Sequence, residues 1–179
     1  MTDNDAQFSA FVRTHTDALL KTAYLLTRNG VDAEELVQDT LVWLYPRWAQ
    51  VEAAEYPLAY VRKSVVNRFL AGQRRMSSSE VYLNEDYANS HESAGARDET
   101  AEVDERLKMW RELGILSERQ RAAIVLRFFH DLPDDEVAGV LDCRVGTVRS
   151  LISRALNALR STGSFADDGT GSHYLRNVT

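Results

Sequence analysis

The sequence is short of the residues that several classes of protein need. Its single cysteine, Cys143, excludes an internal disulfide framework and any metal site built from several cysteines. No apolar run approaches the roughly 20 residues that cross a bilayer, and no apolar segment follows a basic N-terminal start. We therefore expect a cytoplasmic protein that folds in a reducing compartment.

Signatures of catalysis and of cofactor binding are also missing. The chain contains no glycine-rich phosphate loop, no nucleophile elbow and no pair of carboxylates in a recognisable pocket. The histidines His91, His130 and His173 have no metal-ligand spacing with one another or with Cys143. These absences predict a protein that is not an enzyme and that binds no metal ion or other cofactor.

What the chain does contain is an uneven distribution of charge. It has 27 acidic and 21 basic residues, a formal net charge of −6. Residues 77–105 carry nine of the acidic residues against one arginine, so the rest of the chain is weakly positive. This segment is rich in small and polar residues and has few large apolar ones, which predicts a flexible linker. We expect two domains, residues 1–76 and 104–160, joined by an acidic linker at 77–103 and followed by a loose tail at 161–179.

Apolar residues recur at helical spacing before the linker and predict a domain of three packed helices. Asn29 and Gly30 end the first stripe, and Asp32 with Glu35 forms a capping-box-like start to the second helix. Pro57 suits the first turn of the third helix. The residues of these stripes are Phe8, Phe11, Val12, His15, Ala18, Leu19, Thr22, Ala23, Leu26, Leu36, Val37, Thr40, Leu41, Leu44, Leu58, Val61, Val65 and Phe69.

After the linker, the pattern predicts a helix-turn-helix. Ser117 and Gln120 form a capping box before one helix, and Pro133 with several acidic residues begins a short one in LPDDEVAGVL. A break at Asp-Cys-Arg then precedes a longer helix. Two helices joined by so short a turn form a helix-turn-helix, whose second helix can enter the major groove of DNA. The predicted buried residues of that second helix are Val148, Leu151, Ile152, Ala155, Leu156 and Leu159.

The second helix of this motif is strongly basic. The stretch CRVGTVRSLISRALNALR, residues 143–160, carries four arginines and no acidic residue. An exposed face free of acid suits a helix that lies between two walls of phosphates, and the first-turn amides around Thr147 are predicted to bind a phosphate by donating to its oxygens. A solvated face on an ordinary amphipathic helix would give the same periodicity. The predicted exposed residues are Arg149, Ser150, Ser153, Arg154 and Asn157.

A second basic element, YVRKSVVNRFLAGQRR at residues 60–75, ends the first domain. It combines basic side chains, which can contact phosphates, with an aromatic ring that can stack on a base and an amide that can form hydrogen bonds to a base edge. Two separated basic elements indicate an extended DNA site, and here too a solvated helix face is the alternative. The residues concerned are Tyr60, Arg62, Lys63, Asn67, Arg68, Arg74 and Arg75.

Three stretches, in this order, resemble an extracytoplasmic-function (ECF) sigma factor, a small two-domain member of the sigma-70 family of bacterial RNA polymerase initiation subunits. LLKTAYLLTRNGVDAEELVQDTLVWLYPRW resembles the region that docks on the polymerase clamp helices. AYVRKSVVNRFLAGQRR resembles the region that melts the promoter and reads its −10 element. LSERQRAAIVLRFFHDLPDDEVAGVLDCRVGTVRSLISRALNALR resembles the domain that reads the −35 element. The resemblance is closest to the actinobacterial-type subgroup.

The resemblance implies roles for three sets of residues. Binding to core polymerase is implied for Glu35, Gln38 and Asp39, on the predicted exposed side of the second helix. Contact with the −10 element and the melted bubble is implied for the second basic element. Recognition of the −35 element is implied for Arg144, Gly146, Thr147, Val148, Arg149, Ser150, Ser153 and Arg154.

The resemblance also implies a function, that of a sigma factor which binds core RNA polymerase, directs it to −35 and −10 promoter elements and helps to open the duplex. The implied partners are the clamp helices of the largest polymerase subunit, the flap region, promoter DNA and an anti-sigma factor, with no insertion into a membrane. The acidic linker is implied to thread through the polymerase cleft, and a charged, solvated tether is the alternative. The alternatives are a stand-alone helix-turn-helix regulator, which predicts operator binding without polymerase, and a protein-interaction module with incidental basic helices.

Overall fold

The computed structural model of the 179-residue chain describes residues 3–79 and 113–161. Every regular element within these two ranges is helical, which confirms the all-α prediction. The two ranges belong to separate compact units, as the predicted two-domain organisation requires. The predicted linker after Ser79 and the predicted tail after Ser161 lie outside the described residues.

The first unit is built on three long helices. Its elements are α1 (Asp3–Thr27), α2 (Gly30–Leu44), a 3-10 turn η1 (Tyr45–Arg47), α3 (Trp48–Glu52) and α4 (Pro57–Ser79). Helices α1, α2 and α4 pack against one another, which confirms the predicted three-helix core. The stripe residues that are only half-buried are Phe8, Phe11, Val12, His15, Ala18, Leu36 and Leu58. Leu19, Leu26 and Val65 are fully buried in this core, and each such side chain stabilises the fold by about 1.5–3 kcal/mol relative to exposure. Helix α4 takes in residues 77–79, the first three of the predicted linker.

The start of α2 differs from the sequence prediction. The helix begins at Gly30, and its N-cap is Asn29, whose Oδ1 accepts hydrogen bonds from the amides of Val31 at 2.9 Å and Asp32 at 3.4 Å. Asp32 lies inside the first turn, where its carboxylate interacts favourably with the positive end of the helix dipole. The predicted capping box of Asp32 with Glu35 is therefore wrong, because an asparagine one turn earlier already satisfies the first amides.

The second unit contains the helix-turn-helix. Its described elements are the 3-10 turn η2 (Leu113–Ile115), α5 (Glu118–Ile124) with a π-helical continuation (Val125–Phe129), α6 (Asp134–Leu141) and α7 (Val145–Ser161). The predicted capping box at the start of α5 is confirmed: the Oγ of Ser117 accepts from the amide of Gln120, and the side chain of Gln120 accepts from the amide of Ser117 at 3.0 Å.

The turn between α6 and α7 depends on a left-handed residue. Asp142 ends α6 with φ 49° and ψ 58°, a conformation that aspartate tolerates better than most residues. The amide of Cys143 then donates to the carbonyl of Ala138 at 3.1 Å, which closes the end of α6. Helix α7 packs on both α5 and α6, so the turn fixes which of its faces is left for solvent.

A charged side chain is buried in the core of the second unit. The guanidinium of Arg121, only 8 % exposed, donates from Nε to the carbonyl of Leu113 at 3.0 Å and from Nη2 to the carbonyl of Leu116 at 3.1 Å. These hydrogen bonds offset the cost of burying the charge. Arg121 thereby holds η2 against α5.

Candidate nucleic-acid interface

The exposed face of α7 is the first part of the candidate interface. The five residues predicted to face solvent, Arg149, Ser150, Ser153, Arg154 and Asn157, are all exposed. Helix α7 carries no acidic residue along its length. A helix with this face can approach two phosphate walls without electrostatic repulsion.

The N-terminal turn of α7 differs in two respects from the prediction. Val148, predicted to contact the −35 element, is fully buried, so its side chain packs in the core of the domain. The amide of Thr147 is not free for a phosphate, because it donates to the carbonyl of Arg144 at 2.8 Å. Arg144, Gly146 and Thr147 are exposed, and a Cβ at Gly146 would meet no atom within 4 Å, so this end of the helix is accessible.

Part of the predicted core of α7 lines a groove instead. Leu151, Ile152 and Leu156 are half-buried, whereas Val148, Ala155 and Leu159 are buried as predicted. Ile152 and Leu156 line an open groove of about 320 Å³ together with Phe128 of the π-helical turn and the arginines Arg127, Arg149 and Arg160. The groove therefore combines apolar and basic side chains with one carboxylate, that of Asp134.

An acidic residue lies beside the basic face of α7. The Nε of Arg149 donates to Oδ2 of Asp134 at 3.1 Å, across from α7 to the first residue of α6. The other carboxylate oxygen of Asp134 lies 3.5 Å from Nε of Arg127, and Nη1 of Arg127 lies 3.5 Å from Oδ1 of Asp131. The sequence prediction used the acidic residues of α6 only as the start of a helix and missed this contact.

Helix α4 carries the second predicted DNA-contacting set. Tyr60 is 42 % exposed, and Lys63 and Asn67 are exposed, so these side chains are available to a ligand. Arg62 is half-buried, and its Nε has no hydrogen-bond partner among the described residues. Burial lowers the pKa of the Arg62 guanidinium below its ordinary value, although an arginine remains charged at neutral pH. The side chains of Arg74 and Arg75 lie outside the described part of the structure.

The predicted polymerase-binding residues lie on α2, close to α4. Glu35, Gln38 and Asp39 are exposed, as predicted. Oδ2 of Asp39 lies 3.6 Å from Nη2 of Arg68, so the two predicted sets meet where α2 packs on α4. An exposed surface ion pair of this kind contributes little to stability, about 0–1 kcal/mol.

Trp43 adds an aromatic ring to the same surface. It is 42 % exposed, and two guanidinium groups lie near its ring, that of Arg47 at 4.7 Å and that of Arg68 at 5.9 Å from the centroid. Both distances fall within the range of cation–π attraction. Arg68 is therefore held by an acid and an aromatic ring of α2, a pairing that helical periodicity did not indicate.

Residues 3–79 and 113–161 contain neither a candidate metal centre nor a candidate membrane span. Within these ranges no group of three or more potential ligand side chains is placed to hold a metal ion. Among the helices of these ranges, none has the length and the apolar character that a bilayer span requires.

Known protein families match both units. A family model described as sigma-70 region 2 matches residues 11–78, and one described as sigma-70, region 4 matches residues 106–159. The first match covers α2 and all but the last residue of α4, and the second covers the helix-turn-helix as far as Leu159 of α7. Both candidate surfaces therefore lie inside regions that define this family.

Individual proteins show the same similarity. The RNA polymerase sigma-E factor of Streptomyces coelicolor is 32% identical over 154 residues, which cover 86% of this chain and 84% of that protein. The ECF RNA polymerase sigma-E factor of Escherichia coli is 33% identical over 139 residues, covering 72% of each chain. Among solved structures, the sigma factor RpoE of Bartonella quintana, crystallised with the anti-sigma factor NepR, matches with a TM-score of 0.61 and 26% identity, covering 87% of this chain and 95% of that one.

These matches decide between the functions that the sequence left open. A stand-alone regulator would need only a helix-turn-helix, whereas this chain also has the region 2 domain, and its similarity to sigma-E factors extends over 86% of the chain. The Streptomyces relatives agree with the predicted actinobacterial-type subgroup. The chain belongs to the ECF sigma factors of the sigma-70 family, and it acts in transcription initiation by binding core RNA polymerase and promoter DNA.

Proposed function

We propose that this sigma factor reads the −35 element with α7, contacts the −10 element and the melted bubble with α4, and binds the polymerase clamp helices with α2. The observation that carries the proposal is the exposed, acid-free face of α7, presented by a helix-turn-helix. Nucleotide chemistry is then left to the polymerase, and the chain acts in the cytoplasm, where the polymerase is.

Run-off transcription tests this proposal as a whole. Bacterial core polymerase is incubated with fragmented DNA of the host, with and without the chain, and the 5′ ends of the products are mapped. We expect new start sites that share two spaced upstream motifs, and the motifs give the promoter sequence directly. DNA binding by the chain alone without any new start site would contradict the proposal.

Arg154 provides a sharper test of the −35 contact. It is exposed on α7, and replacing it with alanine should lower initiation about tenfold if its guanidinium reads a base, the usual size of a bidentate contact. Arg13→Ala is the matched control, because Arg13 is also exposed but lies on α1 in the other unit. Equal losses in the two variants would indicate a general effect of charge rather than recognition by α7.

Tyr60 tests the role of α4 in promoter opening. An aromatic ring that stacks on an unpaired base contributes about 1–3 kcal/mol, so Tyr60→Ala should slow open-complex formation on duplex promoters. Tyr60→Phe keeps the ring and should behave like the original chain. On a template with a pre-melted bubble the defect of Tyr60→Ala should shrink, and a defect of the same size on both templates would count against a role in melting.

Glu35 tests the polymerase-binding side of α2. Its carboxylate is exposed, and an acidic surface suits a basic partner. Glu35→Arg should weaken binding to core polymerase, with the largest effect at low salt. Glu52→Arg, the same charge reversal at an exposed position on α3, should leave the affinity unchanged. If both reversals weaken binding equally, the clamp contact does not lie on this side of α2.

Two further partners complete the proposal. The structural relative from Bartonella quintana was crystallised with an anti-sigma factor, which supports an anti-sigma partner for this chain. Such a partner, purified with the chain from host cells, should inhibit run-off transcription and compete with core polymerase. A partner that binds without lowering transcription would contradict this assignment.

The apolar groove lined by Ile152 and Leu156 supports a contact between the second unit and the flap region, which Leu156→Asp should weaken.

A further inference from the structure

Asp134 and Arg149 form a contact between the two helices of the helix-turn-helix. The Nε of Arg149 donates to Oδ2 of Asp134 at 3.1 Å. The side chain of Arg149 is 72 % exposed, while that of Asp134 is only 29 % exposed. The carboxylate therefore lies against the protein, and the arginine extends from it toward solvent on the proposed DNA-binding face.

The carboxylate is itself held in place from a third element. Its Oδ1 lies 3.5 Å from Nε of Arg127, in the π-helical turn. Arg127 also donates from Nη1 to the carbonyl of Leu132 at 3.4 Å, so its own position is restrained by the loop before α6. Asp134 thus interacts with Arg127 through one carboxylate oxygen and with Arg149 through the other.

The atoms used in the contact leave the rest of the guanidinium available. Arginine has five N–H donors, of which the Nε–H is used on Asp134 and four belong to the two terminal nitrogens. Bidentate recognition of guanine needs two donors in a fixed plane. A long side chain that is already ordered in the free protein also loses less conformational entropy when it binds.

We propose that Asp134 is a positioning residue for promoter recognition: it fixes the guanidinium of Arg149 so that the terminal nitrogens face a base edge in the −35 element. This inference rests on the proposed role of Arg149 in reading DNA. Asp134 acts through Arg149 and does not itself contact the promoter.

Asp134 also affects DNA affinity in a second, separable way. Its negative charge lies beside a basic face, so removal of the charge should raise the affinity for all DNA sequences by a similar factor. Positioning concerns only the base pairs that Arg149 reads. A comparison across promoter sequences therefore separates the two effects.

The test measures initiation by the holoenzyme on promoters that carry every single-base change in the −35 element found by run-off transcription. We expect Arg149→Ala to abolish base preference at one or two positions. Asp134→Asn should reduce the preference at those same positions about fivefold, the size expected when one charge-assisted hydrogen bond is replaced by a neutral one. Asp134→Glu, which keeps the carboxylate, should restore part of the preference.

Asp135→Asn is the matched control, since Asp135 lies in the same first turn of α6, is exposed and makes no ion pair among the described residues. It should leave the base preference unchanged. If Asp134→Asn gives the same profile as Asp135→Asn, with or without a lower melting temperature, the positioning role is overturned. If Arg149→Ala leaves every preference intact, the proposed role of Arg149 fails and the inference fails with it, and the Arg149 variant alone reveals this outcome.

Discussion

The two domains bury polar side chains in different ways. In the described part of the first domain these side chains are hydroxyls, and Thr22, Thr40 and Ser64 each donate to the carbonyl four residues earlier in the same helix. In the described part of the second domain the buried polar side chain is that of Arg121, which donates to carbonyls five and eight residues earlier, outside its own helix.

This difference separates local hydrogen bonds from structural cross-links. A hydroxyl that bonds within its helix adds little, because the helix exists without it. Arg121 connects α5 to the segment before it, because one guanidinium bonds the backbone carbonyls of two core residues, Leu113 and Leu116. The first domain should therefore tolerate loss of its buried polar groups, whereas the second should not.

The largest expected effect comes from Arg121. Arg121→Met fills similar space but leaves the carbonyls of Leu113 and Leu116 without this donor, so it should lower the free energy of unfolding of the second domain by about 3 kcal/mol. Hydrogen exchange measured by mass spectrometry reads each domain separately. Peptides from residues 113–161 should exchange about 100-fold faster, and peptides from residues 3–79 should not change.

Arg119 supplies the control for this prediction. It is half-buried, and its Nη2 donates to the carbonyl of Leu141 at 3.0 Å, so it too bonds a carbonyl outside its own helix. Arg119→Met should cost only about 1 kcal/mol, the typical net value of one hydrogen bond. Equal effects of the two variants would show that burial of Arg121 is not what makes its hydrogen bonds important.

The sequence predicts most of this fold because the decisive signals are local. Helical periodicity identified α1, α2, α4 and the helix-turn-helix, and the Ser117–Gln120 capping box is present as predicted. The predicted start of α2 was wrong because both Asn29 and Asp32 are suitable N-cap residues. The backbone conformation determines that Asn29 accepts the hydrogen bonds. Val148 was predicted both to be buried in the core and to contact DNA. Because Val148 is fully buried, its side chain packs in the core.

The pairings at the candidate interface were beyond prediction for a different reason. Periodicity shows that Arg149 is exposed, but the partner of Arg149 is Asp134, which is 15 residues earlier on another helix. Asp39 and Arg68 were likewise assigned to separate functions, although their side chains meet between α2 and α4. Such contacts depend on how helices pack, and a pattern along one helix carries no information about the distance to another.

A smaller effect is expected at the left-handed residues that end a helix in each domain. Arg28 has φ 63° and Asp142 has φ 49°, and glycine adopts this conformation without the cost of a Cβ. Arg28→Gly should raise the free energy of unfolding of the first domain by about 1 kcal/mol. Asp142→Gly should raise that of the second by about half as much, because aspartate tolerates positive φ better than arginine does.

Urea denaturation, read separately for each domain by hydrogen exchange, measures both changes. The comparison between domains is informative because both residues are exposed, so neither substitution opens a cavity. An equal gain at the two positions would mean that the aspartate side chain brings no local advantage at the turn of the helix-turn-helix. A loss at Asp142 would mean that its side chain stabilises the turn by more than the strain costs.

The smallest effect is expected at Thr40, which is fully buried and whose Oγ1 donates to the carbonyl of Leu36 at 2.7 Å. Thr40→Val replaces the hydroxyl by a methyl group of the same shape, so the free energy of unfolding should change by less than about 0.5 kcal/mol. Thr40→Ser keeps the hydroxyl and removes the methyl group, which should cost about 1 kcal/mol. If Thr40→Val lowers the free energy of unfolding by more than Thr40→Ser does, the hydroxyl of Thr40 contributes substantially to the stability of the first domain. The distinction drawn between the buried polar groups of the two domains would then fail.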